Sequence, residues 1–198
     1  MIIESLQKGK HDRVAFRCGT ESLDRFLHEH AHQAASKRLS QTYVAVDKAD
    51  ECTILGYYSL TTFRVEPNAL PEVVIKRLRL PRHELPAALI ARLAVKTEAR
   101  GRGFGTNMVV DALARCERVS SEIGGVAIIV DAIDRRAVAF YERLGFKRFP
   151  TSLAQMFMPM ADVHVTVRAI EDGRRRGSHE NERISFAPPP EYTRTEAA

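Results

Sequence analysis

The spacing of apolar positions in the first half of the chain predicts a helix, a strand pair and a short second helix. Apolar residues recur at helical spacing after Thr20, a suitable N-cap, and predict a helix that ends near Lys37. The segments 41–47 and 53–66 are rich in Tyr, Val, Thr and Ile and are joined by a polar turn, which predicts a hairpin. A short apolar stretch at 73–80 lies among four prolines and predicts a short helix within a long connection.

The pattern then predicts a strand, a long helix and another strand in succession. An apolar run of strand length covers 87–95. An amphipathic helix is expected to begin near Gly103 and to stop at Gly124, because glycine is common just past a helix end. The apolar segment 126–133 has the character of a buried strand.

One more helix and two short strands complete the predicted domain. Asp134 is a suitable N-cap for a helix that ends at Gly145, and short strands are expected at 146–150 and 153–160. Strands and helices that alternate in this way predict a single α/β domain with a mixed sheet.

Composition divides the chain into a domain, 1–162, and a C-terminal extension, 163–198. The extension contains arginines and glycines at 173–177 and three prolines at 188–190, but few large apolar residues. It can bury too little surface to offset its ordering entropy, so most of it is expected to be flexible. Residues 163–170 alternate well enough to predict one more strand.

Length and cysteine content narrow the class of protein. The chain of 198 residues suits one globular domain, and its sequence has neither the layout of a secretory signal nor an apolar run long enough for a membrane span. We therefore expect a cytoplasmic protein. Cys18, Cys52 and Cys116 are scattered, so we expect them to be buried apolar residues and not disulfide partners or metal ligands.

The charge of the chain is moderately basic, with a net value of +5. The excess belongs to the domain, because six arginines after residue 162 are matched by six acidic residues. Any affinity for nucleic acid would therefore arise from the domain. A basic surface serves solubility or an anionic cofactor equally well.

The segment from Arg100 to Gly105 is the leading candidate for a ligand site. It reads Arg-Gly-Arg-Gly-Phe-Gly between a predicted strand and a predicted helix. Glycines permit positive φ and close approach of a ligand, and the first helical turn presents unpaired N–H groups, so a pyrophosphate fits there. The spacing matches neither the P-loop nor the dinucleotide-binding fingerprint, and a bare glycine loop also serves as a tight turn.

Two motifs together resemble the GNAT acetyltransferase superfamily. The first runs from Leu93 to Thr106, and the second, from Asp134 to Phe146, begins about thirty residues after the glycine loop. The resemblance implies a central mixed, mostly antiparallel sheet flanked by helices, with acetyl-coenzyme A as acetyl donor and no metal. The cofactor-binding residues that it implies are Leu93, Ala94, Val95, Arg100, Gly101, Arg102, Gly103, Phe104, Gly105, Thr106 and Asp134.

The second motif also supplies the candidate catalytic residue. In the GNAT family the tyrosine that matches Tyr141 acts as general acid for the leaving thiolate. Its alternative role is that of an aromatic residue on a core-facing helix, as expected for Phe140. Asp134 stands where family members commonly have asparagine, so it is expected to act mainly as a helix cap.

The N-terminal half resembles the GNAT toxins of bacterial toxin–antitoxin pairs. The matching segments are 16–27, 42–45, 55–60 and 91–95, and the resemblance extends over roughly residues 10–160. It implies acetylation of the α-amino group of aminoacyl-tRNA, which blocks translation, and neutralisation by a ribbon-helix-helix antitoxin. It is also compatible with a homodimer and implies no membrane partner.

Charged residues near the predicted site agree in part with this substrate. An α-amine, pKa 7.7–8.0, needs less help from a base than a lysine side chain, pKa about 10.4, and the strand at 88–95 contains no acid. Arg77, Arg79 and Arg92 are candidate contacts to tRNA phosphates, although a solvated face or a salt bridge explains them equally well. The alternative functions are acetylation of a small amine or a protein N-terminus, and a non-catalytic acetyl-coenzyme A-binding module.

Overall fold

The computed structural model describes residues 1–177 and contains a sheet of seven strands. The strands are β1 (Ile2–Ser5), β2 (Gln41–Val46), β3 (Ile54–Val65), β4 (Leu85–Val95), β5 (Ala127–Asp131), β6 (Lys147–Arg148) and β7 (Gln155–Pro159). Their order is β1-β2-β3-β4-β5-β7-β6, and all neighbours are antiparallel except β4 and β5. The expected mixed, mostly antiparallel sheet is confirmed.

Helices cover both faces of this sheet. Within residues 1–177 they are α1 (Glu21–Arg25), α2 (Ala31–Ser36), α3 (Glu72–Leu78), α4 (Phe104–Ile123), α5 (Arg135–Arg143) and α6 (Met160–Gly177). A π-helical turn, Phe26–His30, joins α1 to α2, so the predicted first helix is nearly continuous. The guanidinium of Arg13 donates to the carbonyl oxygens of Leu27 and His28 in this turn, at 3.3 and 2.6 Å, and so satisfies carbonyls of the irregular turn.

The core lies in three clusters on the two faces of the sheet. One face is covered by α4, α5 and α6, whose apolar side chains pack with residues such as Ile90 and Ile128. On the other face the helices from α1 to α2 cover the strand ends near Ala94, and α3 covers the strand starts near Leu85. β4 thus contributes side chains to all three clusters and is the central strand of the sheet.

Two elements differ from the expectations. β1 was not predicted, because it contributes only four residues at the edge of the sheet. The predicted strand at 163–170 is wrong: these residues belong to α6, with Val163 and Ile170 buried and Val165 exposed. The boundary expected at residue 162 therefore falls inside this helix. Residues 178–198 of the predicted extension lie outside the described residues, and their flexibility stays a prediction.

Two smaller expectations concern the cysteines and membrane spans. Cys18 and Cys116 are buried as expected, whereas Cys52 is exposed in the turn between β2 and β3. In the part of the chain that the structure describes, no helix is long and apolar enough to cross a bilayer.

Candidate functional site

The strands β4 and β5 part from each other beyond Ile90. Their parallel pairing covers Ala87–Ile90 of β4, while β4 continues to Val95 and pairs there only with β3 among the described residues. The register between β3 and β4 skips Ala91, which forms a β-bulge. A bulge bends a strand and changes which face its side chains occupy. The backbone of β4 from Ala91 to Val95 therefore has an open edge beside the end of β5.

The glycine loop connects this open edge to the start of α4. Gly101 and Gly103 have φ of 76° and 78°, and a Cβ at either position would meet no atom within 4 Å. Gly103 is the N-cap of α4, whose 20 residues begin at Phe104. The first N–H groups of such a helix have no partner within it, and the helix dipole adds positive potential. The loop thus presents backbone donors next to open space.

A cavity of about 250 Å³ lies between the open edge, the loop and the start of α5. Five of the residues that were predicted to bind a cofactor line it: Leu93, Ala94, Val95, Arg100 and Gly105. The others lie in the same loop and first helical turn, except Asp134. Asp134 directly follows the cavity residue Ile133. It caps α5, because its carboxylate accepts a hydrogen bond from the amide of Ala137 at 2.7 Å.

A segment from Arg17 to Thr20 forms the remaining wall of this cavity and was not predicted. Cys18 and Thr20 line the cavity together with Leu23 of α1. The amide of Thr97 donates to the carbonyl of Arg17 at 3.0 Å, and the guanidinium of Arg100 donates to the carbonyl of Cys18. Burial raises the pKa of the Cys18 thiol to about 11, so this thiol is uncharged at neutral pH. Arg100 therefore holds the wall in position, whatever else it binds.

Tyr141 lies on the core-facing side of α5 and does not line the cavity, whereas its neighbour Phe140 does. Its ring packs edge-on against Phe140 and Phe146, with centroids 5.1 and 5.4 Å apart. Its hydroxyl makes no hydrogen bond to another residue within 1–177. Burial, and secondarily the charge of Asp131, raise the pKa of Tyr141 and keep the phenol protonated at neutral pH.

Comparison with known proteins agrees with this geometry. The family model described as Acetyltransferase (GNAT) domain matches residues 38–148, which is more than half of the chain. The protein belongs to the GNAT acetyltransferases. The open edge of β4 and the glycine loop both lie within the matched range.

Individual GNAT relatives extend the match over most of the chain. A probable toxin TacT of Sinorhizobium fredii is 30% identical over 169 residues, covering 82% of this chain and 92% of the relative. A tRNA-acetylating toxin of Mycobacterium tuberculosis is 30% identical over 156 residues, covering 79% and 90% respectively. Among solved structures, AtaT complexed with acetyl-methionyl-tRNAfMet has a TM-score of 0.76 and 27% identity, with 83% of this chain and 97% of AtaT covered.

The three arginines that the sequence suggested as tRNA contacts do not form one patch. Arg92 lies near the end of β4, with its guanidinium 3.8 Å from the centroid of the Phe26 ring. Arg77 lies on α3, which packs near the start of β4, and donates twice to Asp162 at 2.9 Å. Arg79 follows α3 with a φ of 51°. Arg92 lies seven strand residues after Leu85, so the start of β4, near Arg77, and the position of Arg92 are about 23 Å apart.

Another pair of arginines lies near the cavity of this GNAT domain and was missed. Arg135 and Arg136 are exposed at the start of α5, directly after the capping residue Asp134. They make no ion pair within residues 1–177. Basic residues in the first turn interact unfavourably with the positive end of the helix dipole. Their position therefore favours a role in binding an anion. The feature of the sequence that could have indicated this site is the pair of arginines directly after the capping residue.

Proposed function

We propose that the protein is an acetyl-coenzyme A-dependent N-acetyltransferase that acetylates the α-amino group of aminoacyl-tRNA and thereby acts as a toxin on translation. The observation that carries the proposal is the open edge of β4 beside the free amides of the glycine loop. That pairing suits a ligand with amide groups at one end and a pyrophosphate at the other. The family match and the two relatives named as toxins support it.

The cofactor is held chiefly by backbone groups in this proposal. The edge at Leu93–Val95 pairs with the amides of the pantetheine arm, and the amides of the loop and the first turn of α4 hold the pyrophosphate, with Arg102 as an additional cation. A solved structure of AtaTR bound with AcCoA, 28% identical to this chain, supports the assignment. Asp134 has the helix cap as its main role.

Tyr141 acts as the acid in the proposed reaction. When the amine has attacked the thioester carbon, the carbon–sulfur bond breaks and the phenol donates its proton to the leaving thiolate, while the nitrogen loses its extra proton to water and the phenolate takes one back from water. A phenol that is protonated at neutral pH suits this role, although its raised pKa makes it a weaker acid in the absence of substrate. Its hydroxyl is free to bond a ligand, because within residues 1–177 it has no partner.

The lining of the cavity favours an α-amine as acceptor. The lining residues include neither a carboxylate nor a histidine, so the cavity itself offers no ordinary general base. Near pH 7.5 about a third of an α-amine is neutral, compared with about one lysine side chain in a thousand. An acceptor that is already partly neutral therefore reacts without a base.

Positive charge near the cavity suits the rest of the tRNA. Arg135 and Arg136 are additional candidates for phosphate contacts, beside Arg77, Arg79 and Arg92. The AtaT complex with acetyl-methionyl-tRNAfMet supports this class of substrate. A structure of AtaT bound to the C-terminus of the antitoxin AtaR likewise supports an antitoxin as partner, of the ribbon-helix-helix type that the resemblance implies. An enzyme of this kind acts in the cytoplasm, where aminoacyl-tRNA is located.

The test is an acetyl-transfer assay on two matched tRNA pools. The protein is incubated with labelled acetyl-coenzyme A and either total aminoacylated tRNA or the same tRNA after deacylation, beside free amino acids and polyamines. We expect label in the aminoacylated pool alone. Equal labelling of both pools, or transfer only to polyamines or peptides, would refute the proposed substrate and favour a small-amine acetyltransferase.

A further inference from the structure

A carboxylate lies at the point where β4 and β5 part from each other. The last parallel pair of these strands is Ile90 with Val130. The next residue of β4 is Ala91 in its β-bulge, and the next residue of β5 is Asp131, with which that strand ends. Asp131 is exposed and does not line the cofactor cavity. The inner end of the opening between the two strands therefore carries an acid.

The side chain of Asp131 lies on the face of the sheet opposite to Tyr141. Side chains alternate along β5, so Val130 packs in the same cluster as Tyr141, whereas Ile129 packs on the face that α3 covers. Asp131 continues the side of Ile129. There the side-chain amide of Gln155 on β7 donates to one carboxylate oxygen of Asp131 at 2.9 Å. The other oxygen has no hydrogen-bond or ion-pair partner within residues 1–177.

Two charged groups flank the opening on this face. Arg92 of β4 lies on the same face as Asp131, because its guanidinium stacks on the ring of Phe26 in the cluster beneath α1 and α2. No ion pair joins Arg92 to Asp131 in the described part of the chain. Besides burial, the charge of Asp131 raises the pKa of Tyr141, so the carboxylate and the phenol lie near each other across the opening.

The position of the thioester follows from the proposed function, on which this inference rests. A cofactor whose pyrophosphate is bound by the glycine loop, and whose pantetheine arm pairs with the open edge of β4, extends from Val95 towards Ala91. Its thioester then lies where the two strands part, with the phenol of Tyr141 on one face and the carboxylate of Asp131 on the other. An amine that approaches from the face of Asp131 therefore attacks the thioester carbon from the side away from the acid.

We propose that Asp131 binds the amino group of the acceptor and stabilises the positive charge that its nitrogen acquires during the attack. The lone pair of the nitrogen forms the bond to the thioester carbon, the carbon–sulfur bond breaks, and the sulfur takes the proton of Tyr141. The attacking nitrogen is neutral before the attack and positive after it. A carboxylate beside it therefore stabilises the transition state more than the ground state. Because Asp131 is exposed, water reaches the nitrogen and takes its extra proton.

The opposite charges of Asp131 and Arg92 favour an acceptor that itself carries both signs of charge. An aminoacyl-tRNA has its amine close to the phosphates at the 3′ end, so the amine pairs with Asp131 while a phosphate pairs with Arg92. A polyamine has only positive charges and is repelled by Arg92.

The test replaces Asp131 by asparagine, which removes the charge and keeps an oxygen for the amide of Gln155. In the full chain, Asp131→Asn should lower kcat/KM for aminoacyl-tRNA at least about tenfold, whereas the Kd of acetyl-coenzyme A and the Tm should stay at the values of the parent protein. Glu142→Gln is the matched control, because Glu142 is exposed on α5, follows Tyr141 in the chain and pairs with Arg148 at 2.7 Å. It removes the same charge and should change none of these values.

A binding measurement separates a contact with the amine from a general loss of activity. A tRNA charged with the corresponding α-hydroxy acid has the same ester and the same phosphates, but a hydroxyl in place of the amine. Coenzyme A replaces acetyl-coenzyme A, so that no transfer occurs. The parent protein should bind aminoacyl-tRNA about two- to fivefold more tightly than hydroxyacyl-tRNA, as expected for an exposed ion pair. Asp131→Asn should bind the two equally.

The proposed substrate and the role of Asp131 fail in different ways. Transfer by the parent protein to polyamines or peptides, and not to aminoacyl-tRNA, would refute the substrate alone, and Asp131→Asn would then be compared on that amine. Parental kcat/KM in Asp131→Asn, or a preference for the amine that persists in binding, would overturn the role of Asp131. A loss of acetyl-coenzyme A affinity as large as the loss of turnover would also overturn it, because Asp131 would then support the cofactor site. A parent protein that acetylates no amine would overturn both.

Discussion

Replacement of Gly103 by valine separates the cost of backbone strain from the loss of a ligand site. Gly103 has a φ of 78°, and a Cβ there would contact no protein atom within 4 Å. The left-handed conformation costs an ordinary residue about 1–2 kcal/mol. For a domain of this size that corresponds to a fall in Tm of about 2–8 °C. Gly103→Val should therefore remain folded.

The same substitution should abolish cofactor binding, because the valine side chain enters the space that the pyrophosphate needs. Calorimetric titration with acetyl-coenzyme A should give a Kd raised at least tenfold. The parent protein should gain about 2.7 kcal/mol of stability at a ligand concentration of 100 Kd, and the variant should gain almost none.

Gly9→Val is the matched control for this experiment. Gly9 has a φ of 83° and an equally open Cβ position, but it lies in the connection between β1 and α1 and outside the cavity lining. It should lose a similar amount of stability and keep its affinity for acetyl-coenzyme A. Parental affinity in folded Gly103→Val would refute the assignment of the loop to the pyrophosphate.

Three further predictions address the acid, the substrate and the last helix. Tyr141→Phe should leave acetyl-coenzyme A binding unchanged and lower turnover by about 10²–10⁴-fold in a thiol-release assay, and unchanged turnover would remove Tyr141 from the mechanism. Arg136→Gln should raise the KM for aminoacyl-tRNA and reduce its salt dependence, whereas Arg118→Gln on the exposed face of α4 should not. Ile170→Ala should cost about 2–4 kcal/mol in denaturant unfolding, because Ile170 is buried, while Val165→Ala should change stability little.

Most elements of the fold were predictable because they are long and regular. The predicted strand at 87–95 and the helix from Gly103 to Gly124 agree with β4 and α4 to within a few residues. The segment 163–170 shows the limit of the same reasoning. Val163, Val165 and Val167 alternate as in a strand, but the side chains that pack against the core are Val163, Val167 and Ile170, at helical spacing.

The site was predictable only where its residues are close together in the chain. The glycine loop and the strand before it form a continuous motif, so their contact with one cavity could be expected. The wall at Cys18 depends on a hydrogen bond from Arg100, 82 residues away, and the pairing of Arg77 with Asp162 spans 85 residues. Nothing in the local sequence specifies such contacts. The β-bulge at Ala91, which opens the cleft, has no local signal either, because alanine is compatible with regular strand.

The buried tyrosines give a physical reason to distinguish Tyr141 from an ordinary core residue. Tyr57 donates its hydroxyl proton to the carbonyl of Leu23 at 2.7 Å, and Tyr58 donates to Asp111. A buried hydroxyl normally finds such a partner, because leaving it unpaired costs about 1–3 kcal/mol. Tyr141 is 6% exposed, compared with 0% for the other two, and its hydroxyl has no partner within residues 1–177, so it lacks the structural bond that fixes them. The leaving thiolate would accept that bond as the reaction proceeds, so Tyr141→Phe should change the stability of the cofactor-free protein little while it slows the reaction.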